Sequence, residues 1–141
     1  MDVRIKWVEG AMFLGESGSG HVVVMDGAPE NGGRNLGLRP MEMLLAGMGG
    51  CTAFDVKNIL DKARQNIVDC VAEIHAERAD TVPAVFTKIH VHFIISGKGL
   101  TEKVVARAVN LSAEKYCSAS IMLSKTVEIT HDYEIIETDV E

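Results

Sequence analysis

Hydrophobic and charged residues alternate at the start of the chain, where Val3, Ile5 and Trp7 are separated by basic side chains. Two more apolar runs follow before residue 26. A period of two is typical of half-buried β-strands, so this region is predicted to form a three-stranded meander. The stretch from 29 to 37 is rich in Gly and Asn and has no periodicity, which predicts an exposed, mobile loop.

A long helix is predicted to begin at Pro40. Proline suits the first helical position because its missing N–H would have no partner there, and Glu42 complements the helix dipole in the first turn. No residue from Met43 to Phe54 is charged, and a one-sided apolar stripe then continues to about Arg64. An all-apolar helix is buried, and this run is well below the ~20 residues that cross a bilayer. We therefore expect a long buried central helix.

Three glycines, Gly47, Gly49 and Gly50, interrupt the apolar half of this helix. Each weakens a helix by roughly 1 kcal/mol relative to alanine, which indicates a bend or the close approach of another backbone. A chain of this size has little else with which to enclose such a helix. A second copy of the chain is the expected cover, so the protein is predicted to be a homodimer.

The second half of the chain alternates again from 68 to 76 and from 89 to 95, which predicts a β-hairpin with one polar face. Thr101 is placed to cap a helix that ends near residue 116, and Cys117 then precedes a further short helix. A final strand is predicted from 126 to 135. The element order is β-β-β-α-β-β-α-α-β, an α+β pattern without the βαβ rhythm of a parallel sheet.

Composition narrows the class of protein. A length of 141 residues with 47% hydrophobic residues suits one domain, 1–141, with its own core. The net charge of −6, without any Lys/Arg run, disfavours nucleic acid and anionic membranes as partners. The N-terminus lacks the basic and apolar regions of a signal peptide, so a cytoplasmic location is expected.

The three cysteines differ in their predicted surroundings. Cys51 lies in the apolar half of the central helix, where a cysteine is usually an inert small hydrophobe. Cys117 precedes a helix N-terminus, whose N–H groups and dipole favour the thiolate. Cys70 shares the apolar face of a strand, so packing is its expected role. No CxxC motif or Cys/His cluster indicates a structural zinc site, and no metal is expected.

Two segments around cysteines carry a resemblance to a known family. Residues 39 to 51 have the sequence Arg-Pro-Met-Glu-Met-Leu-Leu-Ala-Gly-Met-Gly-Gly-Cys, and residues 115 to 120 have Lys-Tyr-Cys-Ser-Ala-Ser. In this order and at this separation they resemble the OsmC and organic hydroperoxide resistance family. The first is similar to its signature of proline, acidic residue, apolar helix and small residues before a cysteine, and the second resembles the place of its other cysteine. With the element order, the likeness extends over nearly the whole chain.

The resemblance implies an intertwined homodimer with active sites at the subunit interface, and a thiolate that reduces organic hydroperoxides in oxidative stress defence. In that scheme Cys51 attacks the peroxide, becomes a sulfenic acid and is resolved by Cys117 as a disulfide, which a thiol or dithiol reductant reopens. No metal or organic cofactor is needed. Met48 and Met122 are expected to line a pocket for a fatty or aryl hydroperoxide.

Arg39, near the helix start, is expected to support the Cys51 thiolate, and Glu42 is the acidic residue expected at the same site. Active members of the family use a Gly-Arg pair in the early meander, where this chain has residues Gly18-Ser19-Gly20-His21. Arg39, more than Arg34, is the expected substitute for that guanidinium, and Glu42 is the acidic residue shared with a broader branch. Nine residues of unbroken helix place Glu42 about 13 Å from Cys51, so contact needs a bend or the other subunit's copy.

Two alternatives remain open. The first is a non-catalytic dimer of the same fold that binds a small apolar or sulfur-containing ligand at its interface, which the missing Gly-Arg pair favours. The second is a metal-binding module, because His90 and His92 are two apart on a strand and share a face. A solvated strand face is the preferred interpretation of these histidines, since spacing fixes no third ligand.

Overall fold

The structure is a computed structural model, and it describes residues 1–139. Within that range the chain forms six strands, β1 (Val3–Glu9), β2 (Met12–Ser17), β3 (Val22–Met25), β4 (Asn66–Arg78), β5 (Phe86–Lys98) and β6 (Glu128–Glu137). It also forms three α-helices, α1 (Pro40–Lys62), α2 (Glu102–Leu111) and α3 (Ser118–Leu123), with a 3₁₀ turn at Pro29–Asn31 and a π-helical turn at Ser112–Tyr116. The α+β class and the order of strands and helices are confirmed.

The chain divides into two compact units, the first from Met1 to Ala46 and the second beginning at Gly47. In the first unit, β1, β2 and β3 form an antiparallel meander, as the alternation predicts. The boundary between the units falls within α1. The single domain expected from the sequence stays a prediction.

The loop that follows β3 is organised around the buried carboxylate of Asp26. Backbone N–H groups of Gly27, Arg34 and Leu36 donate to its two oxygens. Burial raises the pKa of Asp26, but these three donors outweigh it and hold the pKa below its ordinary value. The loop is largely exposed, as predicted. Its backbone is nevertheless held in place by hydrogen bonds to Asp26.

The second unit contains a sheet in the order β4-β5-β6. β4 and β5 form the predicted antiparallel hairpin. β6 pairs with β5 in parallel, an orientation that the element order alone did not predict. The reason is that α2, the π-helical turn and α3 together form a crossover between β5 and β6, and a crossover of this kind returns the chain in its starting direction.

The core of the second unit combines one face of β5 with one stripe each of α1 and α2. Its fully buried apolar side chains are Met48, Val56, Leu60, Ile89, Phe93, Ile95, Val105, Ala108 and Val109. The period of two on β5 and the helical period on α1 and α2 place these residues on the same side of each element. Buried apolar area of this kind is the main stabilising contribution to such a unit.

One chain buries only one stripe of α1, which includes Met48, Thr52 and Val56. Leu44 is 50% exposed and Phe54 is 69% exposed. Within one chain, the predicted burial of the central helix is therefore confirmed for one side of the helix only. Cover of the other side by a second copy stays a prediction. Among residues 1–139, no helix is long and apolar enough to span a bilayer.

Gly49 is the position where the helix is closely approached. A Cβ added there would lie 2.6 Å from Cδ1 of Ile74 on β4, whereas nothing lies within 4 Å of one added at Gly47 or Gly50. Gly49 thus has a close neighbour, but that neighbour is a side chain and not the backbone that was predicted. Gly47 and Gly50 have no such neighbour within the described part of the chain.

Candidate functional site

Two cysteines and one carboxylate converge in the second unit. The sulfur atoms of Cys51 and Cys117 and a carboxylate oxygen of Asp55 all lie within 4.8 Å of one another. Cys51 and Asp55 are four residues apart on α1, so they project from the same face of the helix. Cys117 is the N-cap of α3. The fold thus brings together the two cysteines singled out from the sequence and adds Asp55 to them.

Cys117 is fully buried. Its Sγ accepts hydrogen bonds from the backbone N–H of Ser120 at 3.4 Å and from the Ser120 hydroxyl at 3.1 Å. Burial raises the pKa of the Cys117 thiol, the Ser120 donors oppose that effect, and the nearby Cys51 adds to it, so the pKa lies above its ordinary value. The predicted position before a helix N-terminus is confirmed, but the expected preference for thiolate is wrong because burial outweighs the donors.

Asp55 is held by a short network of hydroxyl groups. The hydroxyls of Thr52 and Ser112 are 2.7 Å apart, and the Ser112 hydroxyl donates to Oδ2 of Asp55 over 3.3 Å. Since the Thr52 hydroxyl is able to act as the donor to Ser112, the hydrogen of Ser112 is free to point at the carboxylate. Ser112 also accepts the backbone N–H of Cys117 through its carbonyl at 2.9 Å. One buried serine therefore positions both the carboxylate and the second cysteine.

Sequence reasoning missed Asp55 and Ser112. The spacing of Asp55, one helical turn after Cys51, was the only local signal for it. Ser112 gave no signal at all, because it is 60 residues from Thr52 in sequence and meets it only through the packing of α1 against the π-helical turn.

Arg39 and Glu42 make contacts close to the start of α1. The backbone N–H of Arg39 donates to Oε1 of Glu42 at 2.8 Å, as in the second half of a capping box. The guanidinium of Arg39 donates to Oδ1 of Asn35 at 2.9 Å and to the carbonyl of Gly37 at 3.1 Å. Arg34 pairs instead with Glu9. Both side chains thus have partners at the start of α1. Support of the Cys51 thiolate by Arg39, and a place for Glu42 at the site, stay predictions.

Asp55 lines a groove of about 550 Å³. Its walls include Asn58, Lys62, Arg107, Leu111 and Tyr116. Within residues 1–139 neither Lys62 nor Arg107 forms an ion pair, so both cationic groups are available to a ligand.

The two methionines expected at a substrate pocket do not line this groove. Met48 is fully buried, and its carbonyl faces the Cys117 thiol at 4.0 Å. Met122 is 70% exposed on α3. A single chain therefore uses Met48 in its core, and a role for Met122 at a pocket stays a prediction.

Cys70 is half-buried on β4, opposite Ile95 of β5. Burial, and to a smaller extent the neighbouring charge of Asp69, raises the pKa of the Cys70 thiol. It is not part of the cluster formed by the other two cysteines. These properties agree with the packing role expected from the sequence.

His90 and His92 share one face of β5 and both contact Asp132. Oδ1 of Asp132 lies 3.0 Å from Nε2 of His90 and 2.7 Å from Nδ1 of His92. The hydrogen bond to Asp132 raises the pKa of His92, and the same bond lowers the pKa of Asp132. Both histidines are partly exposed, with side-chain exposures of 41% and 29%. Asp132 reaches both rings because it is in register with His92 in the parallel pairing of β5 and β6. The three side chains are not among the groups of residues 1–139 whose ligand atoms all lie within 4.8 Å of one another.

The site is a thiol pair beside a carboxylate, and the fold that carries it is of the α+β class. The family model described as OsmC-like protein matches residues 32–132, so the chain belongs to the OsmC-like family. Protein YhfA of Escherichia coli (strain K12) is 53% identical over 136 residues, which are 96% of this chain and 98% of that protein.

Solved structures share the fold. A hypothetical protein from Aquifex aeolicus VF5 is 28% identical with a TM-score of 0.85, covering 98% of this chain and 97% of that chain. The organic hydroperoxide resistance protein OhrB of Bacillus subtilis is 17% identical with a TM-score of 0.62, covering 95% of this chain and 98% of that chain. At that identity, the second likeness establishes the fold alone.

Proposed function

We propose that the protein is a thiol-dependent hydroperoxide reductase of oxidative stress defence, with Cys51 and Cys117 as its redox pair. The observation that carries the proposal is the approach of the two sulfur atoms to within 4.8 Å of each other and of the Asp55 carboxylate. Membership of the OsmC-like family supports it, since structures of this fold include proteins named for organic hydroperoxide resistance.

Cys51 is the attacking residue in this scheme because it is half-buried, whereas Cys117 is fully buried. The Asp55 carboxylate accepts the thiol proton of Cys51. The thiolate sulfur attacks the terminal oxygen of the hydroperoxide, the O–O bond breaks, and Cys51 becomes a sulfenic acid. The leaving alkoxide receives the proton back from Asp55 and departs as an alcohol. Sulfur is oxidised by two electrons and the peroxide is reduced by two.

Cys117 completes the cycle by attacking the sulfenic sulfur of Cys51, which releases water and forms a disulfide. A sulfur–sulfur bond of about 2.05 Å requires the two side chains to move together from their resting separation. The two Ser120 donors stabilise the Cys117 thiolate at this step. An external thiol or dithiol then reduces the disulfide and restores both thiols.

The groove beside Asp55 suits an organic hydroperoxide. Ile59, Ala63 and Leu111 supply apolar surface on its walls, and Asp55 connects it to the reacting sulfur atoms. A homodimer is part of the proposal, because the 69% exposed Phe54 lies on the same helix as Cys51 and leaves an apolar surface for a second copy.

One observation favours a second candidate function. The Cys117 thiol is fully buried and its pKa is raised by that burial, which slows any step that needs its thiolate. The second candidate is a non-catalytic OsmC-like dimer that binds a small apolar or sulfur-containing ligand at its interface.

Peroxide consumption in the presence of dithiothreitol tests the proposal. We expect cumene hydroperoxide to be consumed faster than hydrogen peroxide, Cys51→Ser to abolish turnover, and Cys70→Ser, the matched control, to retain it. Cys117→Ser should leave a sulfenic acid on Cys51 that dimedone traps after one turnover. Undiminished turnover in Cys51→Ser, or a disulfide that includes Cys70, would contradict the redox pair. A wild-type protein that consumes no peroxide would favour the non-catalytic candidate.

A further inference from the structure

We propose that Cys51, Asp55 and Cys117 form a zinc site in the reduced protein, so that Zn²⁺ and an oxidant compete for the same two thiols. The site follows from the geometry of the cluster and does not require peroxidase activity. Within residues 1–139 this is the one group of three or more His, Cys, Asp or Glu side chains whose ligand atoms all lie within 4.8 Å of one another.

The distances suit a first-row divalent cation. Zn²⁺ binds thiolate sulfur at about 2.3 Å and carboxylate oxygen at about 2.0 to 2.2 Å in a tetrahedron, which places two sulfur ligands roughly 3.8 Å apart. The three ligand atoms of the cluster are already within 4.8 Å of one another. Cys51 and Asp55 are half-buried and lie one turn apart on the same helix face, so small rotamer changes close the remaining gap.

The type of ligand selects the metal. Two thiolates with one carboxylate suit zinc, which is borderline-soft, whereas Mg²⁺ and Ca²⁺ require sets made of oxygen ligands. Three protein ligands leave the fourth position for water or an exogenous ligand, as in zinc sites with an open position.

The groups around the three ligands are already oriented. The Ser112 hydroxyl donates to Oδ2 of Asp55, and Ser120 donates twice to the sulfur of Cys117. Outer partners of this kind fix the direction of metal ligands and typically contribute ten- to a hundred-fold in affinity. Asp55 also lines the groove described above, so one ligand of the cluster is reached from that groove.

Metal binding and oxidation exclude each other at this site. Zn²⁺ replaces the thiol protons of Cys51 and Cys117, which pass to the buffer, and no electron is transferred. A disulfide between the same sulfur atoms removes both thiolates. The reduced protein therefore binds zinc, the oxidised protein does not, and bound zinc protects the pair from oxidation.

The test uses zinc sulfate added to the reduced, metal-free protein in competition with the chromogenic chelator 4-(2-pyridylazo)resorcinol. We expect one zinc per chain, loss of binding in Cys51→Ser and in Cys117→Ser, and at least ten-fold weaker binding in the near-isosteric Asp55→Asn. Cys70→Ser, the control for a third thiol, should bind as the wild type does. Oxidised protein should bind none until it is reduced.

Cobalt substitution provides a readout that does not depend on the folding of a variant. Co²⁺ in the wild-type site should give the near-ultraviolet charge-transfer band of cobalt bound to thiolate and the visible bands of a tetrahedral centre. A spectrum without the thiolate band overturns the site.

Three other results would also overturn it. One is zinc that binds to Cys51→Ser but is lost in His90→Asn or His92→Asn, which would place the metal on β5 instead. Another is binding that needs both cysteines and is unchanged in Asp55→Asn. The third is zinc bound equally by the oxidised protein. Because the titration contains no peroxide, a failure of the proposed reductase activity leaves its result intact, and an active enzyme that binds no zinc rejects this site alone.

Discussion

Thr52 and Ser112 are joined by a 2.7 Å hydrogen bond in the buried interior of the second unit. Thr52 follows Cys51 on α1, and the carbonyl of Ser112 accepts the backbone N–H of Cys117. The pair therefore ties the helix that carries one cysteine to the turn that carries the other.

Ser112→Ala should lower the free energy of unfolding by about 1 to 3 kcal/mol, because it leaves the buried Thr52 hydroxyl without its partner. Formation of the Cys51–Cys117 disulfide should also become slower, since Asp55 loses its hydroxyl donor. Urea denaturation and timed thiol trapping measure the two effects. The exposed Ser118 offers a matched control, and Ser118→Ala should change neither. Equal stability of the two variants would contradict the role of Ser112.

Gly49→Ala should stabilise the protein less than Gly50→Ala does, because the added methyl group meets Cδ1 of Ile74 at 2.6 Å and the end of that side chain must shift. Gly50→Ala is the control on the same helix, and it has nothing within 4 Å of the new Cβ. In one chain it should stabilise the helix by up to about 1 kcal/mol. The two variants are compared by thermal unfolding at equal concentration. An equal gain in both would show that Ile74 moves away without cost.

The His92–Asp132 pair should make stability depend on pH. Its hydrogen bond raises the pKa of His92, so the charged pair contributes stability fully below the ordinary histidine pKa of about 6.5. That contribution is lost as the pH rises through the raised pKa of His92. NMR titration of the imidazole should show a midpoint above the ordinary value in the wild type and a lower one in Asp132→Asn. The same midpoint in both proteins would exclude the pair as the cause.

Phe54→Ser should weaken self-association and leave the fold of each chain intact, because the side chain is 69% exposed in a single copy. Sedimentation equilibrium of wild type and variant at several concentrations measures the effect. Lys57→Ser changes another exposed residue on α1 and should leave association unchanged. A wild-type protein that stays monomeric at micromolar concentration would refute the proposed homodimer.

Local patterns predict the elements of this protein well. Alternation identifies the meander and the β4–β5 hairpin, and Pro40 with Glu42 marks the start of α1. The direction of β6 could not be predicted in this way, because alternation has the same appearance in parallel and antiparallel strands. Only the crossover in space decides which of the two is formed.

The candidate site, too, was predictable from local sequence in part only. Cys51 and Cys117 are identified from two local motifs, but their separation depends on how α1 packs against the segment before α3. The environment of Cys117 shows the limit of local reasoning. Its place at a helix start is evident from the sequence, yet the burial that raises its pKa comes from side chains distant along the chain. Asp55 and Ser112 escape notice for the same reason.

The parallel pairing of β6 with β5 also orders events in time. Residues of the two strands that face each other are far apart in sequence, as with His92 and Asp132, which are 40 positions apart, whereas β4 and β5 meet across a short turn. Contacts between distant residues form late because the closure of a long loop is entropically costly. In a chain still being synthesised, Cys51 therefore leaves the ribosome well before Cys117 is placed beside it. Whatever chemistry the pair performs is withheld until Cys117 has also left the ribosome and packed against α1.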